Sequence, residues 1–142
     1  MLDYWKNAFT KNYANFNGRA RRSEYWYYTL MNFIIVICLY TMIGLSIASQ
    51  LTALSITFGA LVFIFFLATI VPTLSVLVRR LHDVGKSGWF FFVYFIPLAG
   101  PIWLLVLLFT NGEQGENAYG PDPKNQSSMN MNDDALDSHL TS

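Results

Sequence analysis

The chain has 142 residues, a length that suggests one domain, with 54% hydrophobic, 17% aromatic and only 13% charged residues and a formal net charge of zero. Soluble chains sit near about one quarter charged, and here the charges are segregated: none falls from Tyr25 to Val78 and none from Trp89 to Thr110. Runs of that kind exclude an ordinary water-soluble domain, which needs polar residues on its outer faces, and the charge balance gives no reason to expect a nucleic-acid partner.

Residues 1–18 read as an amphipathic helix. Leu2, Trp5, Phe9, Tyr13 and Phe16 recur at spacings of three and four and fill an arc of roughly 80° on a helical wheel. Such a face suits a helix lying in the headgroup region, and it suits equally a helix packed on a transmembrane bundle. Asn17 and Gly18 supply the stop, since both tolerate a left-handed backbone. A basic cluster follows, Arg19, Arg21 and Arg22, then Glu24 and an aromatic belt, Tyr25 to Tyr28.

The first transmembrane helix is expected over residues 25–48 and the second over 52–78, joined by a short uncharged turn. The first apolar run is too long for a signal-peptide core, so the helix is expected to remain as an anchor. Cys38, the only cysteine, excludes an intrachain disulfide and is expected to pack as a small hydrophobe. Pro72 removes the hydrogen bond to the Ala68 carbonyl, which predicts a kink. After a polar loop, residues 79–88, a third apolar run covers 89–110 and is long enough for one crossing. Pro97, Gly100 and Pro101 should bend or break it. Residues 111–142 read as a polar, largely disordered tail. The expected fold is therefore an all-α integral membrane protein: a membrane domain over residues 19–110 with three transmembrane helices, preceded by an interfacial helix.

Eight of the nine Lys and Arg residues fall before the first span or between the second and third, and the turn between the first two has none. The positive-inside rule then puts the N-terminus in the cytoplasm and, with three spans, the tail outside. If the broken third run is re-entrant instead, the tail returns to the cytoplasmic side.

Arg79, Arg80, His82 and Asp83 are the densest ionisable group. On a continuing helix Asp83 stands four residues from Arg79 and three from Arg80, so it can pair with either. The plainer reading is a pair of topology-fixing arginines with a local salt bridge. The functional readings are a phosphate-headgroup or partner contact through guanidinium forks or, least favoured, catalysis with His82 as proton carrier. No Ser or Cys nucleophile stands with a suitable base, and one His beside one Asp is weak for a metal. No catalytic, cofactor-binding or metal-binding residue is predicted. The apolar runs hold no Asp, Glu, Lys, Arg or His, which argues against a pump or coupled transporter.

Three strings carry a family resemblance: Phe16–Trp26 (FNGRARRSEYW), Arg79–Trp89 (RRLHDVGKSGW) and Asn117–Pro123 (NAYGPDP). In order and spacing they resemble the domain-of-unknown-function 805 family of small bacterial inner-membrane proteins, across about residues 16–123. The resemblance implies an inner-membrane location and no established activity. The first two strings suggest one polar cluster of Arg19, Arg22, Glu24, Arg79, Arg80, His82 and Asp83 at the cytoplasmic face. The expected function is that of a non-enzymatic polytopic membrane protein contacting the bilayer's anionic headgroups, a protein partner or a second copy of itself. Alternatives are a subunit or small carrier of a transport system and, last, a lipid-modifying enzyme.

Overall fold

A computed structural model describes residues 2–125. Its described residues form helices α1 (Leu2–Phe9), α2 (Arg22–Ala48) and α3 (Thr52–Asp83), a 3-10 segment (Gly88–Phe95) and helix α4 (Ala99–Phe109). The chain divides into two compact units, residues up to 15 with 24–76, and residues 16–23 with those from 77 on.

In the first unit α2 and α3 are antiparallel. Their connection closes with Leu51 N–H donating to the Ser46 carbonyl at 2.9 Å and Gln50 N–H to the Ile47 carbonyl at 3.0 Å. Gln50 takes the left-handed conformation, φ 56°, that this helix stop requires. Near the other end of the pair the Tyr28 hydroxyl lies 3.0 Å from that of Thr73. Both helices are long and apolar enough to cross a membrane. Their apolar side chains are not covered by the protein: Phe33, Ile56, Phe63 and Phe66 are each more than 60% exposed. A core helix of a soluble domain would bury them.

Helix α1 covers only the first half of the expected 1–18 segment. Beyond Phe9 the chain turns, with Asn12 N–H bonded to the Asn7 carbonyl and the Asn15 side chain to that of Asn12. Trp5 and Phe9 of the aromatic face pack inward, whereas Tyr13 and Phe16 are exposed. Ala8 joins Tyr28 and Val76 in a small core flanked by Trp5, Phe9 and Tyr25, and the Trp5 indole donates to the Asn32 side chain at 3.1 Å. Leu2, on the same arc, is exposed. Helix α3 continues through Pro72, and the Ala68 carbonyl that this proline deprives of a donor accepts the Tyr13 hydroxyl at 3.1 Å.

In the second unit the third apolar run, expected to bend or break at Pro97, Gly100 and Pro101, is divided into the 3-10 segment and α4. The 3-10 segment and α4 fold onto each other about Pro97 and Leu98, the latter at φ 65°. Gly100 sits against the Val93 carbonyl, where a β-carbon would collide. Eight 3-10 residues rise about 16 Å and eleven α residues about 16 Å, each roughly half the ~30 Å of a hydrocarbon core. Both ends of the run meet the last turns of α3. Gly88 lies against Val78, and the Leu108 and Thr110 carbonyls accept hydrogen bonds from Arg80. Residues 111–125, polar and rich in turn-forming residues, form hydrogen-bonded turns. The expectation of disorder further on, and His139, lie outside the described residues.

Candidate functional site

The site belongs wholly to the second unit and is built on the last turn of α3. Asp83 is buried and bridges two arginines. Its Oδ1 accepts Arg19 Nε at 3.0 Å and its Oδ2 accepts Arg80 Nη1 at 2.5 Å. Arg80 is fully buried. Helical spacing leaves Asp83 a choice of Arg79 or Arg80; it pairs with Arg80, three residues back.

A carboxylate between two guanidiniums leaves an excess positive charge, and burying it is costly unless every donor is used. Backbone oxygens supply the acceptors. Arg19 Nη1 donates to the carbonyls of Gly115 at 2.6 Å and Gly120 at 3.4 Å, and Nη2 to that of Glu113. Arg80 reaches the Leu108 carbonyl at 3.2 Å and that of Thr110. Those two carbonyls belong to the C-terminal end of α4, where the last four lack helical partners and the dipole favours a cation. Arg22 Nη1 takes the Phe109 carbonyl between them at 3.4 Å.

The rest of the centre fixes the three segments in register. Ala20 N–H donates to the Arg79 carbonyl at 2.9 Å, and Glu113 N–H to the Asp83 carbonyl at 2.8 Å. His82 Nδ1 lies 3.2 Å from the Gly18 carbonyl, and its ring stacks on Tyr119 at 3.9 Å with 4° between planes. The Asn117 side chain donates to the His82 carbonyl at 3.0 Å and to Glu113 Oε2 at 2.9 Å. His82 lies beyond the apolar stretch that ends at Val78, and burial pushes its pKa below the ordinary value, against the raising effect of the Gly18 carbonyl. The Asp122 carboxyl is held below the usual carboxylate range, chiefly by the Lys124 N–H, with the Gly115 N–H and the charges of Arg19 and Lys124 adding to it against desolvation.

Of the seven residues expected to cluster, Arg19, Arg80 and Asp83 meet directly, while His82 bonds to the Gly18 carbonyl and stacks on Tyr119. Arg79 is buried and enters through its backbone. Arg22 caps α4. Glu24 lies in the first turn of α2, in the first unit. Reading the sequence did not place Gly112, Glu113 or Gly115 here. The only available signal was that the third string, Asn117–Pro123, is as specific as the two that carry the arginines. Among the described residues no three His, Cys, Asp or Glu side chains gather as a metal site would require. The arrangement ties segments distant in sequence together within the second unit.

A family model described as "Protein of unknown function (DUF805)" matches residues 13–121, which covers every side chain of this centre except those of Asp122 and Lys124. The inner membrane protein YhaI of Escherichia coli strain K12 is 42% identical over 120 residues, covering 84% of this chain and 95% of its own length. The inner membrane protein YhaH of the same strain is 39% identical over 125 residues, covering 84% and 96%. The uncharacterized protein YiiR, also from that strain, is 30% identical over 134 residues, covering 76% and 85%. No solved structure matches the chain.

Proposed function

The chain belongs to the DUF805 family of proteins of unknown function, and on that premise we propose that it is a non-enzymatic inner-membrane protein that crosses the bilayer twice and meets anionic lipid headgroups with a basic cytoplasmic face. The inner-membrane location rests on the similarity to the inner membrane proteins YhaI and YhaH together with two long apolar helices whose side chains are largely exposed. The single observation that carries the topology is the bond set of Arg19. That side chain precedes the first span, yet it holds Asp83 after the second and Glu113, Gly115 and Gly120 after the third apolar run. A chain with the third run crossing would separate those partners by the thickness of a membrane. A re-entrant hairpin keeps them together, and the positive-inside rule assigns their side to the cytoplasm, because the α2–α3 turn carries no Lys or Arg.

The reading against catalysis is supported by how the ionisable groups are spent. Both oxygens of Asp83 are taken by guanidiniums, and most donors of Arg19 and Arg80 by carbonyls, so no charged group there is poised to transfer a proton.

The test is thiol accessibility in a Cys38→Ser background. Ser49→Cys, in the α2–α3 turn, should react with an impermeant maleimide in intact spheroplasts. Asn125→Cys should react only after lysis. Labelling of Asn125→Cys in intact spheroplasts would return the third run to a full crossing and remove the proposed face.

A further inference from the structure

Within the second unit a recess of about 440 Å³ is lined by Arg21, Arg22, Ser23, Asp83, Gly112 and Lys124. Three cations face one carboxylate, and both oxygens of that carboxylate are already held by Arg19 and Arg80. The wall of the recess is thus rich in positive charge, with Arg21 and Arg22 its two guanidiniums. Arg21 carries a second sign: its Nε–H is buried with no hydrogen-bond acceptor among the described residues. A buried donor without a partner costs about 1–3 kcal/mol, so this guanidinium is held in place with one donor unmet. Arg22 and Lys124 are exposed at its rim, and Arg22 Nη1 donates to the Phe109 carbonyl. The Ser23 hydroxyl adds a neutral donor.

Guanidinium forks, an ammonium and a hydroxyl converging on one concave space match a tetrahedral oxyanion bearing several acceptors. The volume exceeds that of a bare phosphate and fits a small headgroup. Arg21 and Arg22 also lie where α2 leaves the apolar run that begins at Tyr25, the depth at which phospholipid phosphates sit. Resting on the lipid-contact reading above, we infer that this recess binds the phosphate group of an anionic phospholipid, through Arg21, Arg22, Ser23 and Lys124. The buried arginines Arg19 and Arg80 take no part, because their donors are engaged inside the protein. The same chemistry would accept free phosphate or glycerol 3-phosphate, and the experiment separates these sources.

The full-length protein in mild detergent is examined by native mass spectrometry with equimolar phosphatidylglycerol and phosphatidylcholine of identical acyl chains. The wild type should retain the anionic lipid in preference. Arg21→Gln/Arg22→Gln/Lys124→Gln should reduce that preference by at least about fivefold per cation removed, while Lys6→Gln/Lys11→Gln should leave it unchanged. If the triple variant does not fold, Lys124→Gln, an exposed side chain, reads the same ratio. Displacement of the lipid by millimolar glycerol 3-phosphate or inorganic phosphate supports recognition of the phosphate itself. A phosphate adduct without any retained lipid assigns the recess to a soluble ligand and overturns the lipid source. A wild-type preference that survives the triple substitution overturns the recess and leaves the basic face standing. No anionic preference in the wild type overturns both.

Discussion

Gly112 lies so close to Asp83 that a β-carbon at position 112 would occupy the space of the carboxylate. The residue is glycine because the chain returning from α4 must pass directly over the carboxylate that two arginines share. Gly112→Ala should therefore push the returning strand off Asp83 and strip Arg19 of its carbonyl acceptors. Asp83→Ala should be worse, since it leaves two guanidiniums buried without a counter-charge, a loss of about 3–5 kcal/mol. Both variants are expected to unfold at lower temperature in detergent than the wild type, with Asp83→Ala the lower. A Gly112→Ala melting curve superimposed on the wild type would mean that the 111–116 segment is not held against α3.

Tyr13 and Pro72 form a second coupled pair. Proline at 72 deprives the Ala68 carbonyl of its helical donor, and the Tyr13 hydroxyl supplies one at 3.1 Å. Tyr13→Phe should cost about 1 kcal/mol, the price of a lost hydrogen bond in a poorly hydrated place. In a Pro72→Ala background the helix supplies its own N–H, so the same substitution should cost much less. A double-mutant cycle reads the difference as a coupling of about 1 kcal/mol. Additive effects would show that the hydroxyl does not stand in for the missing amide.

Acid should loosen the centre in two stages. His82 has its folded pKa depressed by burial, so the unfolded chain binds a proton at a higher pH than the folded one does. Stability then rises with pH and is lost as pH falls through the unfolded value of about 6.5. The depressed pKa of Asp122 has the same sign at lower pH: its contribution is present above the ordinary carboxylate value and disappears on further acidification. Thermal unfolding between pH 8 and 5.5 should show the first stage. His82→Phe keeps a ring against Tyr119 and removes the titration, so its curve should be flat over that interval. An equally steep curve for His82→Phe would assign the slope to another group.

The parts of the fold that follow from length and polarity were legible from the residues. Helices α2 and α3 cover the two spans expected within the charge-free run from Tyr25 to Val78, and the arginine strings do meet. What was not legible depends on local backbone chemistry and on contacts far apart in sequence. The aromatic spacing ran on to Phe16, but Asn12 and Asn15 bond to each other and to nearby backbone, which ends α1 early. The third run passed the length test for a crossing. That test cannot see that Leu98 adopts φ 65° between two short helices. The partners of Arg19 stand 64 to 101 residues away, a separation that no periodicity encodes.

Arg80 and Arg22 both cap α4, and their burial separates their weight. Arg80 is fully buried, with its fork spread over Asp83, Leu108 and Thr110. Lysine keeps the charge but offers a single ammonium that cannot reach three acceptors in one plane. Arg80→Lys should therefore leave at least one carbonyl of α4 or one oxygen of Asp83 without a donor and cost several kcal/mol. Arg22 is exposed and makes a 3.4 Å contact to Phe109, so Arg22→Gln should cost no more than about 1 kcal/mol. The readout is protease sensitivity of the 111–116 segment in detergent, which should rise sharply for Arg80→Lys and hardly at all for Arg22→Gln. Equal sensitivity of the two variants would mean that the carbonyls of α4 are not what Arg80 holds, and that the returning segment is kept in place by Arg19 alone.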